Sequence, residues 1–392
     1  MNDAAQRPAS ATLNRAEHAA GMKAYREEGG RRAAEIGNRG PVRLGEDGKL
    51  HPDILAAYWR HGYYIFEGVV GAAELSELRD GCMDMLARAP ARTGADVDAH
   101  GRPAFGQDFG RPAYYMTRPL SDPHGGTGDL GGRHPTRMSQ PLPDAGAPAE
   151  VVLRMYGMCQ AIPAALRLYG NPHLLAVAEA VNGADFVPFN DVIFVKQPGL
   201  GPSVSWHQDG VTHWDNPDWD EGIHGFNFQV QLFPTTPANA LWVVPGSHKK
   251  GRADIRRMVA DNDGGDQLPD AIPLVCDAGD VTIVNRQTLH GSFANSSPDM
   301  RMSITFGFHR RRAVLGQVPA LGMKGQSEPM DEARIERRAS VVQVAIDARH
   351  QHFPDERPFR YRPFAGREDR FRFNDETYDR VIRNYNLFDL AI

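Results

Sequence analysis

The stretch Val204-Ser205-Trp206-His207-Gln208-Asp209-Gly210 sets an imidazole and a carboxylate two residues apart. On a β-strand, side chains at i and i+2 leave the same face, so His207 and Asp209 can converge on one point. A neutral nitrogen donor and an anionic oxygen donor, joined by a second His from elsewhere, make the facial triad that holds non-haem Fe(II). Such a triad leaves the opposite face of the ion open to other ligands. His-x-Asp occurs twice more, at His51-Pro52-Asp53 and His213-Trp214-Asp215. The first opens a helix, where an Asp serves as a cap. The second lies among Asn, Pro and Trp and reads as a surface turn. His207 and Asp209 alone follow a strand with the right periodicity.

A third donor stands 81 residues beyond Asp209, where Val281-Thr-Ile-Val-Asn reads as a strand running on to His290. That interval leaves room for intervening strands to return the chain to the first pair. Eleven residues after His290, Arg301 opens the apolar strand Met302-Ser-Ile-Thr-Phe. A guanidinium buried there needs an anion, because an unpaired buried charge is expensive, and its planar fork suits a carboxylate. Ser292, on the same face as His290, can add a hydroxyl donor to that anion.

These residues need strands to hold them. Asp191-Val-Ile-Phe-Val-Lys196, the segment 226–233, Ala240-Leu-Trp-Val-Val244, Asp280-Val-Thr-Ile-Val-Asn285 and the segment from Arg301 are strand-like and separated by Gly/Pro turns. Many short strands with no helices between them predict a mainly β chain with a jelly-roll core. Along 226–233, Phe226, Phe228, Val230 and Leu232 fall on one side, and Asn227, Gln229 and Gln231 on the other. The amides either meet solvent or line a cavity, where their donors and acceptors would serve a ligand. Upstream, a short helix from His51 runs into a strand at Tyr63-Tyr-Ile-Phe, and apolar spacing predicts helices over 72–89, 148–168 and 172–181. Residues 91–147, crowded with Gly, Pro, Asp and His, read as one long loop of the kind that covers an active site. Residues 330–350 read as a charged amphipathic helix.

The domain organisation expected is an N-terminal extension over 1–46, partly helical at best, a core domain over 47–312, and a C-terminal extension over 313–392. Gly and Pro supply 40 and 29 of the 392 residues, above average usage, which favours a loop-rich β fold over a helix bundle. A formal net charge of -5 offers no field for nucleic acid. Cys82, Cys159 and Cys276 lie far apart, so no disulfide framework is expected and a cytoplasmic setting is the default. No signal peptide and no apolar run long enough for a membrane span is present.

Taken together, Trp206-His207-Gln208-Asp209, Leu241-Trp-Val-Val-Pro-Gly-Ser-His-Lys249 and His290-Gly-Ser292 with Arg301 resemble the phytanoyl-CoA dioxygenase family of Fe(II)/2-oxoglutarate oxygenases. Ala57-Tyr-Trp-Arg-His-Gly-Tyr-Tyr-Ile-Phe66 is similar as well, and the resemblance covers roughly residues 50–310. It implies a double-stranded β-helix, cupin-like core with Fe(II) held by His207, Asp209 and His290. It also implies 2-oxoglutarate anchored through its distal carboxylate by Arg301, with Ser292 assisting. Lys196 and Gln229 are candidates for the keto-acid end, Trp214 for the neighbourhood of cosubstrate or substrate, and His248 has a structural role. Where the family often carries Asn-Gly, this chain has Ala238-Asn239-Ala240. The chemistry implied consumes O₂ and 2-oxoglutarate, releases succinate and CO₂, and hydroxylates an unactivated C–H of a small-molecule substrate: a metabolite, a natural-product intermediate or an acyl-CoA. The carboxylate of Asp209 implies oxygenation, by hydroxylation or less often desaturation or ring closure, rather than halogenation. Arg310, Arg311 and Arg312 form either a solvated basic run or a greeting for an anionic substrate. The competing readings are a jelly-roll binding protein without catalysis and a cupin-type metal isomerase or hydrolase that does not use 2-oxoglutarate.

Overall fold

A computed structural model describes residues 13–210, 212–318 and 329–387. The outermost parts of the two expected extensions, 1–12 and 388–392, and the segment 319–328 lie outside it. Among the described residues thirteen strands form two sheets. In chain order they are β1 (Arg39–Gly40), β2 (Tyr63–Phe66), β3 (Tyr114–Thr117), β4 (Val151–Met155), β5 (Val187–Pro188), β6 (Val192–Lys196) and β7 (Val204–His207). There follow β8 (Phe226–Gln231), β9 (Leu241–Val243), β10 (Ile272–Leu274), β11 (Val281–Asn285), β12 (His290–Ser292) and β13 (Arg301–His309).

The larger sheet runs β1-β2-β11-β8-β13-β6-β4-β3, with β5 also paired to β13, and the smaller runs β10-β9-β12-β7. From β7 to β13 the chain passes back and forth between the two sheets, the double-stranded β-helix arrangement; neither sheet closes into a barrel.

Strand alternation explains why each face of the larger sheet has its own partner. Phe226, Phe228, Val230, Ile193, Val195, Met302, Ile304, Phe306 and Phe308 point to one side and are buried. They share a core cluster with the helices Pro163–Tyr169, Pro172–Asn182 and Glu332–His352. Each such side chain contributes roughly 1.5–3 kcal/mol by leaving water. Cross-strand register places Lys196 opposite Arg301, and Gln229 opposite both Thr305 and Thr282, on the other side. That polar face looks toward the smaller sheet across a cavity. The amides at 227 and 229 line that cavity rather than meeting solvent.

Three elements differ from expectation. The helix expected over 148–168 is interrupted, because Val151-Val152-Leu153 are better satisfied as a strand. β4 pairs with β3 and β6, and helices begin only at Met158–Ala161 and Pro163–Tyr169. Residues ahead of 46 are more ordered than expected: helices span Arg15–Gly21 and Lys23–Ile36. The second lies against the smaller sheet, where Tyr25 stacks on Trp242 at a centroid distance of 4.6 Å. A Cβ on Gly29 would come within 2.5 Å of the same indole, so only glycine permits that approach. Finally, the strand before His290 ends at Asn285; the chain turns and crosses sheets, and His290 opens a strand of its own. The helix from 51 is present as Pro52–His61, but its cap is His51, whose Nδ1 accepts from the Asp53 N–H at 3.3 Å. All three cysteines are free and buried. Among the described residues no helix is long and apolar enough to cross a membrane.

Candidate metal and anion site

β7 and β12 pair with His207 opposite His290, which brings the two imidazoles to a centroid distance of 4.1 Å. Asp209 lies just past the end of β7, its N–H bonded to the carbonyl of Arg286 at 2.8 Å. Its Oδ1 is 3.5 Å from His207 Nε2 and its Oδ2 is 3.8 Å from His290 Nε2. Among the described residues His207, Asp209 and His290 form the one His/Cys/Asp/Glu group close enough to share a metal ion.

The protonation pattern suits an ion. His207 Nδ1 is 2.8 Å from the Ser205 carbonyl and His290 Nδ1 is 2.8 Å from the Thr288 carbonyl. A carbonyl can only accept, so each Nδ1 carries the proton and each Nε2 turns a lone pair toward the common point. Burial, and then the neighbouring His290, push His207 down to about 3; burial lowers His290 as well. Burial opposes the charge on Asp209, yet Arg133 and His207 hold its carboxyl well below the usual carboxylate range. At neutral pH the set is therefore two neutral imidazoles and one carboxylate, the donor chemistry of the facial triad. Asn227 donates to Asp209 Oδ2 at 2.8 Å, and Arg133 reaches Oδ1 at 3.1 Å and the Asp209 carbonyl at 3.2 Å.

The Pro245-Gly-Ser-His turn braces this arrangement from behind. Ser247 Oγ accepts from the Leu289 N–H at 2.8 Å and donates to the Val244 carbonyl, which fixes the residue before His290. His248 bonds the Trp59 carbonyl through Nε2 at 3.0 Å and is no part of the metal group. Asn239 closes the preceding turn by accepting from the Thr236 N–H, so the departure there leaves the turn intact.

The triad opens onto a cavity of about 570 Å³. Deeper in its wall Arg301 and Lys196 stand opposite one another on neighbouring strands. Both are almost fully buried, at 4% and 1% exposure. Arg301 donates to Gln229 Oε1 at 3.1 Å and its Nε has no partner. Lys196 Nζ donates to the carbonyls of Ser292 and Phe293. Among the described residues no carboxylate lies within ion-pairing reach of either cation. Burial lowers Arg301 to about 10, and burial together with Arg301 drives Lys196 well below its ordinary value. Two buried, adjacent basic groups without a carboxylate partner constitute a seat for an anion, whose charge would favour the protonated form of both.

Lys196 and Gln229 thus both meet Arg301, at the anion end of the cavity. Ser292 lines the cavity and bonds Lys196 through its carbonyl. Trp214 is turned away: its indole N–H donates to the Gly210 carbonyl and its ring lies against His224. His213, expected in a surface turn, is buried at 2% exposure against that same His224 ring. Arg310 and Arg312 close on Asp220, and Arg311 on Glu332, so the basic run is spent on ion pairs inside the chain. The long loop contributes residues that sequence reasoning did not single out. Arg133 braces Asp209, and the ring of His134 lies 4.1 Å from that of His207. The crowding of His in that loop was the available signal.

Residues 165–303 match the family model for phytanoyl-CoA dioxygenase, a span that contains all three triad residues, Lys196, Gln229 and Arg301. Over these residues the chain is similar to the phytanoyl-CoA dioxygenase family. It is 32% identical over 119 residues to phytanoyl-CoA dioxygenase 1 of Oryza sativa subsp. japonica, covering 28% of this chain and 40% of the relative. Against phytanoyl-CoA dioxygenase of Arabidopsis thaliana the figures are 28% over 124 residues, 29% and 41%. The chain therefore matches about two fifths of the length of these curated relatives. Among solved structures it is similar to EctD from S. alaskensis with 2-oxoglutarate and 5-hydroxyectoine, at 17% identity and a TM-score of 0.48 over 74% of this chain and 85% of that one. The cavity walls contributed by β3, β4 and the long loop lie outside the family match.

Proposed function

We propose that this chain is an Fe(II)/2-oxoglutarate-dependent oxygenase that hydroxylates an unactivated C–H of a small molecule. The observation that carries the reading is the sharing of one cavity by a His-Asp-His donor set and a buried, uncompensated Arg301–Lys196 pair. A metal hydrolase or isomerase has use for the first and none for the second. A binding module without catalysis has no use for the two together.

Fe(II) at this site supplies the activation of O₂, coupled to oxidative decarboxylation of 2-oxoglutarate, so that one oxygen atom of O₂ enters succinate and the other the substrate alcohol. The chain positions and protects. His207 and His290 present Nε2 because Ser205 and Thr288 hold the Nδ1 protons. Asn227 and Arg133 keep the Asp209 carboxylate oriented, as hydrogen-bonded outer partners do for metal ligands generally. Arg301 and Lys196 take the distal carboxylate of the cosubstrate, and Gln229 aims the Arg301 fork. The loop residues Leu130, Arg133 and His134 form part of the wall beside the triad and limit access of water.

Incubation with Fe(II), 2-oxoglutarate and O₂ tests the proposal. Slow succinate formation matched by O₂ uptake is expected even without substrate, with its loss in His207→Ala and a far higher 2-oxoglutarate requirement in Arg301→Met. Turnover in Arg301→Met that saturates at the wild-type 2-oxoglutarate concentration, or metal-dependent hydrolysis without O₂ uptake, contradicts it.

A further inference from the structure

The cavity extends past the triad to a second cationic wall, which the cosubstrate does not account for. Arg154 lies on β4 directly opposite Tyr115 of β3, its guanidinium 4.4 Å from the centre of the Tyr115 ring. Arg111 lies 3.7 Å over the ring of Tyr156. Both arginines line the cavity, and the Nε of each is buried without a hydrogen-bond partner. Arg154 Nη2 meets His124 Nε2 at 2.7 Å, and burial followed by that arginine lowers His124 to about 4, so the imidazole is a neutral partner. Neither guanidinium has a carboxylate within ion-pairing reach among the described residues. Of the carboxylates in this part of the wall, Asp129 faces His124, and Asp191 accepts from Cys159 and Tyr169 while attracting Arg111 from beyond ion-pairing distance. The two arginines repel one another, as Arg154 also repels Arg133.

Charge accounting over the whole cavity agrees. Its lining holds six Lys or Arg side chains against three Asp. A divalent metal adds two positive charges and 2-oxoglutarate two negative ones, so the surplus of cations remains once both are bound. Aromatic faces hold the guanidinium planes and leave their N–H edges for an in-plane acceptor, the geometry that recognises carboxylate and phosphate. The volume, about 570 Å³ in all, belongs to the range that encloses a drug-sized ligand.

We infer that Arg111 and Arg154 form the substrate's anion seat: the substrate is a small organic acid or phosphate ester whose charged group lies against these two guanidiniums and whose body reaches along Phe194 toward the triad. The inference rests on the oxygenase reading for the word substrate, but the seat itself is testable without turnover. Neither arginine lies within the family-matched span, so the seat is a feature of this chain's own walls.

The test is calorimetric titration with benzoate, phenyl phosphate and the neutral benzamide in saturating 2-oxoglutarate, using wild type, Arg154→Gln, Arg111→Gln, Arg154→Lys and Arg301→Met. At least one anion is expected to bind wild type and Arg301→Met alike, at least tenfold more tightly than benzamide. Either Gln variant should weaken it about tenfold or more, with partial recovery in Arg154→Lys. A preference for benzoate or for phenyl phosphate identifies which anion the seat fits. Equal binding of benzoate and benzamide, anion binding indifferent to both Gln variants, or no anion binding at millimolar concentration overturns the seat. If Arg154→Gln does not fold, the half-buried Arg111→Gln decides alone. Failure of 2-oxoglutarate to bind wild type, with benzoate still dependent on Arg154, would count against the oxygenase reading and leave the seat standing.

Discussion

Replacing Arg301 with Met keeps the aliphatic stem and removes the charge, and its consequences differ with and without ligand. In the ligand-free protein Arg301 and Lys196 are buried on paired strands, each with only neutral hydrogen-bond partners, so burial disfavours the charge on both. Deleting the Arg301 charge removes the cost of burying it, so the ligand-free variant should unfold at the wild-type temperature or slightly above it. With 2-oxoglutarate the sign reverses. Removing one partner of a buried ion pair costs about 3–5 kcal/mol, and the remaining Lys196 argues for the lower end. About 3 kcal/mol is a loss of affinity on the order of a hundredfold. At a ligand concentration of about 100 times the wild-type Kd, binding stabilises wild type by about 2.7 kcal/mol and the variant by about 0.4 kcal/mol or less. Calorimetry of 2-oxoglutarate binding to the Mn(II) protein, with parallel melting curves, reads both quantities. A variant that binds 2-oxoglutarate as well as wild type, or that melts far below wild type without ligand, would show that Arg301 serves the fold and not the cosubstrate's carboxylate.

Asn227→Ala removes the neutral donor to Asp209 Oδ2 and should weaken metal binding about 10–100-fold with little change in melting temperature, measured by competition with a chelating dye. Gly62 has a φ of +77°, and an added Cβ would come within 2.4 Å of Thr288 Oγ1 and 2.5 Å of His248 Nδ1. Gly62→Ala should therefore lower stability by about 2 kcal/mol or more in denaturant melts. The metal-free protein should lose stability as pH falls below about 6.5. His207 and His224, each pushed down to about 3 by burial and neighbouring positive or basic groups, stay neutral when folded but take up a proton when unfolded. Each opposes folding by at most about 1.4 kcal/mol per pH unit down to its folded value. Melting temperatures that are flat from pH 7 to 5 would contradict this.

The proposed donor set was legible in part because two of its three members obey strand rules, while Asp209 lies just past the end of β7. His207 and His290 sit on short strands with apolar neighbours, and Arg301 is a charge at the mouth of an apolar run, which demands a partner anion. Residues on irregular backbone were not legible. Arg111, Arg133 and His134 come from a Gly/Pro-rich segment with no periodicity, and their placement is set by tertiary contacts such as Arg133 with Asp209. β4 was misread as helix because Val151–Met155 is a short apolar run, for which helical and strand spacing are hard to separate; its pairing with β3 and β6 is non-local. Lys196 was a candidate for the keto-acid end from its strand just ahead of the metal pair, but its place beside Arg301 depends on register with β13, which a single sequence does not disclose. The N-terminal helix was discounted for its polar composition, yet Gly29 and Tyr25 fit it to Trp242.

The most direct test of the central claim is an anaerobic titration of the purified protein with Fe(II) and then 2-oxoglutarate, followed in the visible spectrum beside His290→Ala and Arg301→Met. A metal-to-ligand charge-transfer band should appear in wild type, fail in His290→Ala, and require a far higher 2-oxoglutarate concentration in Arg301→Met. Bound Fe(II) with no band on addition of 2-oxoglutarate would contradict the account and favour a metal enzyme of another kind.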